Sequence, residues 1–586
     1  MNLRRLRISS TCALFLLVFA CSSPQRNICD QRVQFADKEK IKFSDNEDLF
    51  LCGDDSKESW KEIPLSQVEF TLKNFLQQRA YYKPKFSYQD GKLFIDPGEL
   101  SKAEKLVFEG EPPQFNDVKL RGVINAPLNS VLLDRVDAFV QARLKNLGYA
   151  CPTVKLQAVQ ETGVIKVVVL PGLHYTFEEP KIKDTLDLYE KTMRRFDAFA
   201  LGAPYRHEWL KLSENRAEND GIVVSSQFTI TCPAVTPDTE EQSVGAPLKQ
   251  RILGGDKRLI TIGAGISTEE FPIGQASWKS VRLNDRGASL LFSLYGSSRK
   301  QTLQATYTEY LFKNAPRLSF APQATLNRQV ESTYTSTEFQ LAGPLQYKGD
   351  GESSGWLASF GPSVSRLYSV ERTTNKTVTL FSVLGRLNLM SHDYELYQSD
   401  PRSGFATELN GEVASQGFSI SPLATVLTLT GTNLFKLNKV EPQQWVLGFR
   451  YLLSSTITSE RPETTGILPA KYFHMLGGDQ TLRGFGRYEL NNGTVGGLTS
   501  AYFGTELRYA KTLKFNLEPF VFFDLGQLGT EAFALDGPVY YSPGLGLRWG
   551  SPFGAIRGTI AKGYASRSVD QELSHLQFFF SFGREF

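Results

Sequence analysis

The chain has 586 residues, so it holds either several domains or one unusually large one. Aromatic residues make up 12% of it and glycine supplies 48 residues, a composition that favours strands over a helical core. The formal net charge is only +3 and no basic tract is present, so nucleic acid is excluded as an expected partner. Because the chain has five histidines and no ligand-like spacing, we predict no metal and no cofactor.

The N-terminus has the pattern of a secretion signal. A basic start precedes an apolar run that ends at Ala20 and is too short to span a bilayer as a helix. Residues 18–21 resemble the lipobox of lipoproteins, which would leave Cys21 lipidated, whereas an ordinary signal would be cleaved near Ala20. We predict a signal peptide over 1–20 and favour lipidation of Cys21 over the ordinary signal.

Four later cysteines lie in a compartment that permits disulfides, and four cysteines allow three pairings. Proximity favours Cys29 with Cys52 and Cys151 with Cys232. Unpaired thiols are almost as well supported by the sequence.

Three stretches with the same order of elements follow the signal. Residues 21–60 are polar and irregular, and we predict a linker there. From Leu65 a helical stripe leads into a hairpin that turns at Asp90-Gly91. The same order recurs from Ser130 and, more weakly, from Tyr175. The predicted α+β domains cover 61–105, which is partial, 106–173 and 174–250.

From Lys257 onward, apolar and polar residues alternate for about 330 residues, which is typical of strands. At roughly 20 residues per strand and connection, this length predicts about sixteen strands. A closed barrel in lipid satisfies every backbone group, whereas a soluble sheet of this length would expose its edges. We therefore predict an all-β transmembrane barrel of about 16 antiparallel strands over 255–586, ending at Phe586.

An arginine in a glycine-rich loop, Arg483, is the first candidate functional residue. A guanidinium is always charged, so it needs a carboxylate partner wherever it enters a low-dielectric interior. Alternation along two later strands directs Glu506 and Asp524 into the lumen. We expect Arg483 to bind both carboxylates through charge-assisted hydrogen bonds; the alternative is a solvated loop charge.

Three linked motifs resemble the Omp85 superfamily. The sequence Leu482-Arg483-Gly484-Phe485 is similar to the motif of the loop that folds into these barrels. Gly504-x-Glu506 and Phe522-x-Asp524 match the inward-facing strand motifs to which that loop docks. The resemblance implies that Leu482, Arg483, Gly484 and Phe485 form a loop lock with Glu506 and Asp524 as its acidic partners.

The α+β repeats resemble POTRA domains, most clearly at Leu147-Gly148-Tyr149-Ala150 and at 171–177. This resemblance implies periplasmic modules that receive unfolded outer-membrane proteins at a sheet edge, although domains that act only as spacers remain an alternative. The start of the barrel, Thr261 to Ser267, and the three repeats resemble the TamA-like subfamily, of which lipoprotein versions are known. That subfamily implies the bacterial outer membrane, the lipid bilayer and an inner-membrane-anchored TamB-like partner.

The implied function is insertion of outer-membrane proteins at a weak seam between the first and last barrel strands. Glycines near that seam weaken its packing. The alternative is a two-partner-secretion type pore, which normally has two POTRA domains and a plug helix, and no convincing plug helix is predicted in 22–60. Because no catalytic motif is present, we predict that the protein is not an enzyme and has no catalytic residues. The predicted seam residues are Gly263, Gly265, Gly583 and Phe586.

Overall fold

The computed structural model forms two compact units. One is built from residues before 113 with 120–141 and 154–170, and the other from 142–153 and 171–586. The predictions for the signal peptide, for Cys21 and Cys29, and for Gly583 and Phe586 lie outside the described residues. The described residues are 33–36, 41, 43–52, 63–110, 123–183, 188, 190–232, 244–371, 374–398, 401–417, 419, 421–437, 445–458, 468–491, 496–510, 517–551, 554–566 and 576–582.

The first α+β domain begins earlier than the sequence predicted. A parallel strand at 33–35 pairs with the second strand of the predicted hairpin, and a helix at 45–52 packs beside the predicted helix. The predicted linker over 21–60 and the partial domain over 61–105 are therefore corrected, because Val33 and Leu51 belong to the domain's core. Two elements this short carry too little periodicity to be recognised. The elements are β1 (Val33–Phe35), α1 (Asp45–Cys52), α2 (Leu65–Gln78), β2 (Lys85–Gln89) and β3 (Lys92–Asp96), with sheet order β1-β3-β2.

The second α+β domain has one long helix over a three-stranded sheet. The apolar stripe of the helix buries Val136, Val140 and Leu144 completely. The chain then turns at Gly148, whose φ of +105° lies in the region that favours glycine after a helix. The elements are β4 (Lys105–Glu109), α3 (Ser130–Asn146), β5 (Thr153–Val159) and β6 (Val164–Leu170), with sheet order β4-β6-β5.

The third α+β domain is closed by a disulfide between Cys151 and Cys232, one of the pairings that the sequence left open. Its core is aromatic, with the rings of Phe177 and Phe199 stacked 4.2 Å apart. The sheets run β8-β11-β9 and β10-β7. The elements are β7 (Tyr175–Phe177), β8 (Lys181–Ile182), α4 (Glu190–Met193), a 3-10 turn (Arg194–Phe196), α5 (His207–Asn219), β9 (Ser225–Ile230), β10 (Val244–Ala246) and β11 (Leu248–Leu253).

The remaining strands close into one antiparallel barrel, so the predicted fold class is confirmed. The barrel wall has sixteen strand positions, here called staves. Three staves are each split into two segments, namely β16 with β17, β18 with β19, and β28 with β29. The segments are β12 (Arg258–Ser267), β13 (Ile273–Ser280), β14 (Ser289–Gly296), β15 (Lys300–Phe312), β16 (Ala315–Phe320), β17 (Gln323–Val330), β18 (Tyr334–Ala342), β19 (Leu345–Asp350), β20 (Ser354–Glu371), β21 (Thr374–Ser391), β22 (Gly404–Gln416), β23 (Ala424–Lys436), β24 (Trp445–Ile457), β25 (Thr499–Tyr509), β26 (Leu517–Gly529), β27 (Val539–Ser551), β28 (Gly554–Lys562), β29 (Tyr564–Ala565) and β30 (Leu576–Phe582).

The barrel is apolar outside and polar inside, as strand alternation requires. Ile262 is 80% exposed on the outer face, whereas Glu506 on an inward-facing position is buried. A short helix, α6 (His392–Leu396), and a 3-10 turn (Ala470–Tyr472) lie in connections between strands. Within the described residues, no helix combines the length and the apolar character needed to cross a membrane.

Candidate functional site

The connection between β24 and β25 is here called the long loop (residues 458–498), and its stretch 468–491 packs against the inner wall of the barrel. Its described part includes Leu482 and Phe485, both of which are fully buried. They share a cluster with Leu528 of β26 and Tyr540 of β27, and the Phe485 ring meets the Tyr540 ring edge-on at 5.5 Å. These apolar contacts place the intervening Arg483 inside the barrel.

Arg483 is 0% exposed and binds both predicted carboxylates. Its Nε lies 2.8 Å from Oδ2 of Asp524 and its Nη2 lies 2.9 Å from Oδ1, so this pair is bidentate. The third nitrogen, Nη1, donates to Oε2 of Glu506 at 3.0 Å. The backbone N–H of Arg483 also donates to Asp524, at 3.2 Å. All three guanidinium nitrogens therefore have a carboxylate partner.

Three further side chains contact this group of charged residues. The guanidinium carbon of Arg483 lies 3.3 Å from the centroid of the Phe522 ring, a cation–π contact. Tyr502 donates its hydroxyl to Asp524 at 3.0 Å, and Arg508 Nε donates to Glu506 at 2.6 Å. We call Arg483, Glu506 and Asp524 the arginine lock.

Gly484 lies against the backbone of Gly563, a contact that was not predicted from the sequence. A Cβ added to Gly484 would lie 2.4 Å from the backbone nitrogen of Gly563, and one added to Gly563 would lie 2.6 Å from the carbonyl oxygen of Gly484. Gly563 interrupts the stave between β28 and β29, so two backbones meet there without side chains. A glycine that interrupts an alternating strand was the only available signal.

The seam between the first and last barrel strands is described at two paired positions. Within the described residues, Ile266 and Ser267 of β12 are in register with Phe582 and Ser581 of β30. The neighbouring turn adds Thr268, whose backbone N–H donates to the carbonyl of Phe580 at 3.0 Å. By contrast, the whole stretch 258–265 of β12 is in register with β13.

Of the predicted seam glycines, Gly263 and Gly265 lie within the described residues, on the inner face of β12. A Cβ at Gly265 would lie 3.0 Å from the carbonyl oxygen of Phe582, so this glycine permits close approach across the seam. A Cβ at Gly263 would meet the side chain of Gln275 on β13 instead. Neither glycine contributes a side chain to the arginine lock.

A family model for the Omp85 superfamily domain matches residues 255–586. The chain belongs to the Omp85 superfamily. The predicted resemblance to this superfamily is confirmed, and it makes the protein an outer-membrane barrel of the class that inserts or translocates proteins. The TamA-like assignment stays a prediction.

Two solved Omp85 structures resemble this chain. BamA from Haemophilus ducreyi lacking POTRA domains 1–3 is 16% identical, with a TM-score of 0.50 over 82% of this chain and 99% of that one. CdiB from Acinetobacter baumannii is 12% identical, with a TM-score of 0.44 over 88% of this chain and 96% of that one. At this identity, the likeness to BamA concerns the fold alone.

The third α+β domain is joined to one end of the Omp85 barrel by charged contacts. Arg216 of α5 donates to Asp350 at 2.7 Å and to Glu395 of α6 at 2.9 Å. Burial by itself raises the pKa of the Glu395 carboxyl, but the nearby His392 and the hydrogen bonds from Arg216 outweigh it and hold that pKa at about 2. The carboxylate of Glu395 is therefore charged at neutral pH.

A second carboxyl at this junction behaves differently. Burial raises the pKa of Asp197 to about 7, although Arg194 lies 3.5 Å away and lowers it.

Within the part of the chain that the structure describes, no group of histidine, cysteine or acidic side chains is arranged to hold a metal ion.

Proposed function

We propose that the protein is an outer-membrane assembly factor that passes unfolded outer-membrane proteins into the bilayer at the seam between β12 and β30. The observation that carries the proposal is the meeting of the first and last barrel strands, where Ile266 and Ser267 pair with β30 within the described residues. Backbone pairing is the main interaction that holds a barrel shut in lipid. Because β12 and β30 are the two ends of the barrel sheet, no turn links them, and this boundary can separate without disrupting a hairpin.

The exposed start of β12 suits an incoming strand. Ile260 and Ile262 are 67% and 80% exposed on its outer face, where lipid or a client strand would cover them. A client that aligned with this stretch would receive backbone hydrogen bonds and an apolar surface together.

The α+β domains would receive clients before the seam does. In the first domain β2 is an edge of the sheet, and in the second domain β5 is an edge. An edge strand can accept an extended peptide through backbone hydrogen bonds, without a particular client sequence. We propose that these domains are POTRA domains in the periplasm, that the first includes the elements from β1 onward, and that the third orients the barrel through Arg216.

The TamA-like subfamily is our more specific proposal. It is supported by the three α+β domains, and it entails an inner-membrane-anchored TamB-like partner that would bridge the periplasm. Lipidation of Cys21 would tether the N-terminus to a membrane and belongs to the same proposal. The arginine lock would keep the long loop seated while the seam opens, and the protein would carry out no chemical reaction.

Depletion of the protein, followed by quantitative proteomics of the outer membrane, tests the proposal. We expect a defined set of β-barrel proteins to fall in abundance and to accumulate unfolded in the periplasm. An unchanged outer-membrane proteome, together with loss of one large secreted protein from the medium, would instead identify a two-partner-secretion type pore. Re-expression of the parent chain is the control for polar effects of the depletion.

A cysteine pair across the seam gives a more direct test. Ser267 and Ser581 are paired residues on adjacent strands, where Cα atoms lie about 4.5 to 5.5 Å apart and a disulfide fits. We expect oxidised S267C/S581C protein to fold but to lose client assembly, and reductant to restore it. Full client assembly by the cross-linked protein would contradict insertion at this seam.

A further inference from the structure

The long loop binds the barrel on both sides of the seam. On one side is the turn after β12, which carries Glu269 and Glu270 and also contains Thr268, bonded to the last strand. On the other side is β28, the stave next to β30. These contacts lie outside the arginine lock and involve Asp479 and Arg487 of the loop.

Arg487 binds carboxylates from two different turns. Its Nη2 and Nε donate to Glu331, after β17, at 2.9 and 3.1 Å. Its Nη1 lies 3.3 Å from Glu270 and 3.9 Å from Glu269. Because these carboxylates are at most 10% exposed, the guanidinium is the charge that lets them lie together in a buried position.

Asp479 reaches across the seam itself. Its backbone N–H donates to Glu269 at 3.2 Å, whereas its carboxylate pairs with Arg557 of β28. Arg557 is in register with Ser581, and Ser581 is in register with Ser267. One loop residue therefore connects Arg557, at one end of this row, with Glu269, which lies two residues beyond Ser267 at the other end.

The close fit of the loop backbone supports this reading. Gly478 has a φ of +106°, and a Cβ there would lie 2.3 Å from a carboxylate oxygen of Glu269. The loop therefore needs a glycine at this point to seat against the turn. On the far side, Gly484 rests on Gly563, as described above.

We propose that Arg487 and Asp479, with Glu269, Glu270, Glu331 and Arg557, form a clasp that holds the paired end of the seam in register. This proposal rests on the proposed function, because it names the residues that position the seam. Arg487 fixes the turn that follows β12, and Asp479 ties that turn to β28. The clasp therefore holds the first and last strands together at the level of Ser267 and Ser581.

Conductance of the full chain in planar bilayers tests the clasp without any client. We expect Arg487→Gln to raise the fraction of time spent open at least about fivefold, because hydrogen bonds to charged groups are among the strong ones. Oxidation of S267C/S581C in the same variant should return the conductance to the parental level. The matched control is Arg386→Gln, which removes an exposed cross-strand pair with Glu408 on β21 and β22 and should change nothing.

A second variant covers the case in which Arg487→Gln does not fold. Glu269→Ala removes the acceptor for Asp479 and leaves the bidentate pair of Arg487 with Glu331 in place. We expect it to raise the open fraction in the same direction and to slow disulfide formation in S267C/S581C. Parental conductance and cross-linking in every folded variant of the pair would overturn the clasp.

The outcomes separate the clasp from the proposed function. Lost client assembly with parental conductance in Arg487→Gln would overturn the clasp and leave the assembly function standing. Raised conductance, in a protein whose depletion leaves the outer-membrane proteome unchanged, would support the clasp and overturn the assembly function.

Discussion

Replacing Arg483 with alanine should remove the charge partner of Asp524 more completely than that of Glu506. The buried pair loses its cation, and breaking a buried ion pair from one side costs about 3–5 kcal/mol. Glu506 keeps Arg508 at 2.6 Å, whereas Asp524 keeps Arg450 at the longer distance of 4.0 Å. Asp524 is itself 0% exposed, so most of the destabilisation should come from this carboxylate.

Second substitutions in the Arg483→Ala background separate the two contributions. We expect Asp524→Asn to recover roughly half of the lost stability, because a neutral amide is cheaper to bury than an unpaired charge. Glu506→Gln should recover less, since it removes the partner of Arg508. The assay is urea unfolding of the barrel in lipid vesicles, followed by heat-modifiable migration on a gel.

The matched control is Arg386→Ala, which removes an ion pair with Glu408. The side chain of Arg386 is half exposed. Such a pair contributes about 0–1 kcal/mol, so the change should be small. The reasoning fails if Arg483→Ala loses no more than this control. It also fails if Glu506→Gln rescues Arg483→Ala better than Asp524→Asn does.

Three further predictions concern other parts of the molecule. Gly563→Val should destabilise the barrel by about 1–3 kcal/mol, because even its Cβ would lie 2.6 Å from the carbonyl oxygen of Gly484. The control is Gly558→Ala, whose Cβ meets nothing within 4 Å and which should match the parent in the same unfolding assay. Removing the disulfide with C151S/C232S should lower the stability of the third domain by at most about 4–5 kcal/mol, because the disulfide closes a loop with a sequence separation of 81. Equal melting temperatures of the parent with and without reductant would contradict this. Burial raises the pKa of Asp197 to about 7 from an unfolded value near 3.9, so the free energy of unfolding should fall as pH rises between these values. Asp197→Asn should therefore become more stable than the parent over that range, by at most about 4 kcal/mol. A difference in unfolding free energy between the two proteins that stays constant with pH would refute this.

Much of the arginine lock was predictable from local sequence. A period of two placed Glu506 and Asp524 on inward-facing positions, and the charge of Arg483 required an acidic partner inside the barrel. The barrel class followed from the same alternation, repeated over some 330 residues. These features depend on spacings of a few residues, which a single sequence displays directly.

The first α+β domain shows where local pattern stops being enough. Its strand at 33–35 is stabilised by parallel pairing with residues 93–95, and its helix at 45–52 by packing on Leu72 and Leu76. Neither segment is long enough to show a period of its own. The sequence therefore predicted a linker where the structure has two elements of a domain.

The clasp and the contact between Gly484 and Gly563 were decided by tertiary structure alone. Arg487 binds Glu331 across 156 residues, and Asp479 meets Glu269 across 210 residues. No spacing rule links residues so far apart, because their distance depends on how many staves close the barrel and in which register. The sequence by itself determined which faces are polar and which charge must be neutralised inside. Barrel closure determined which carboxylates lie within reach of each arginine, since it brings the first and last strands, and the loop between β24 and β25, to the same place.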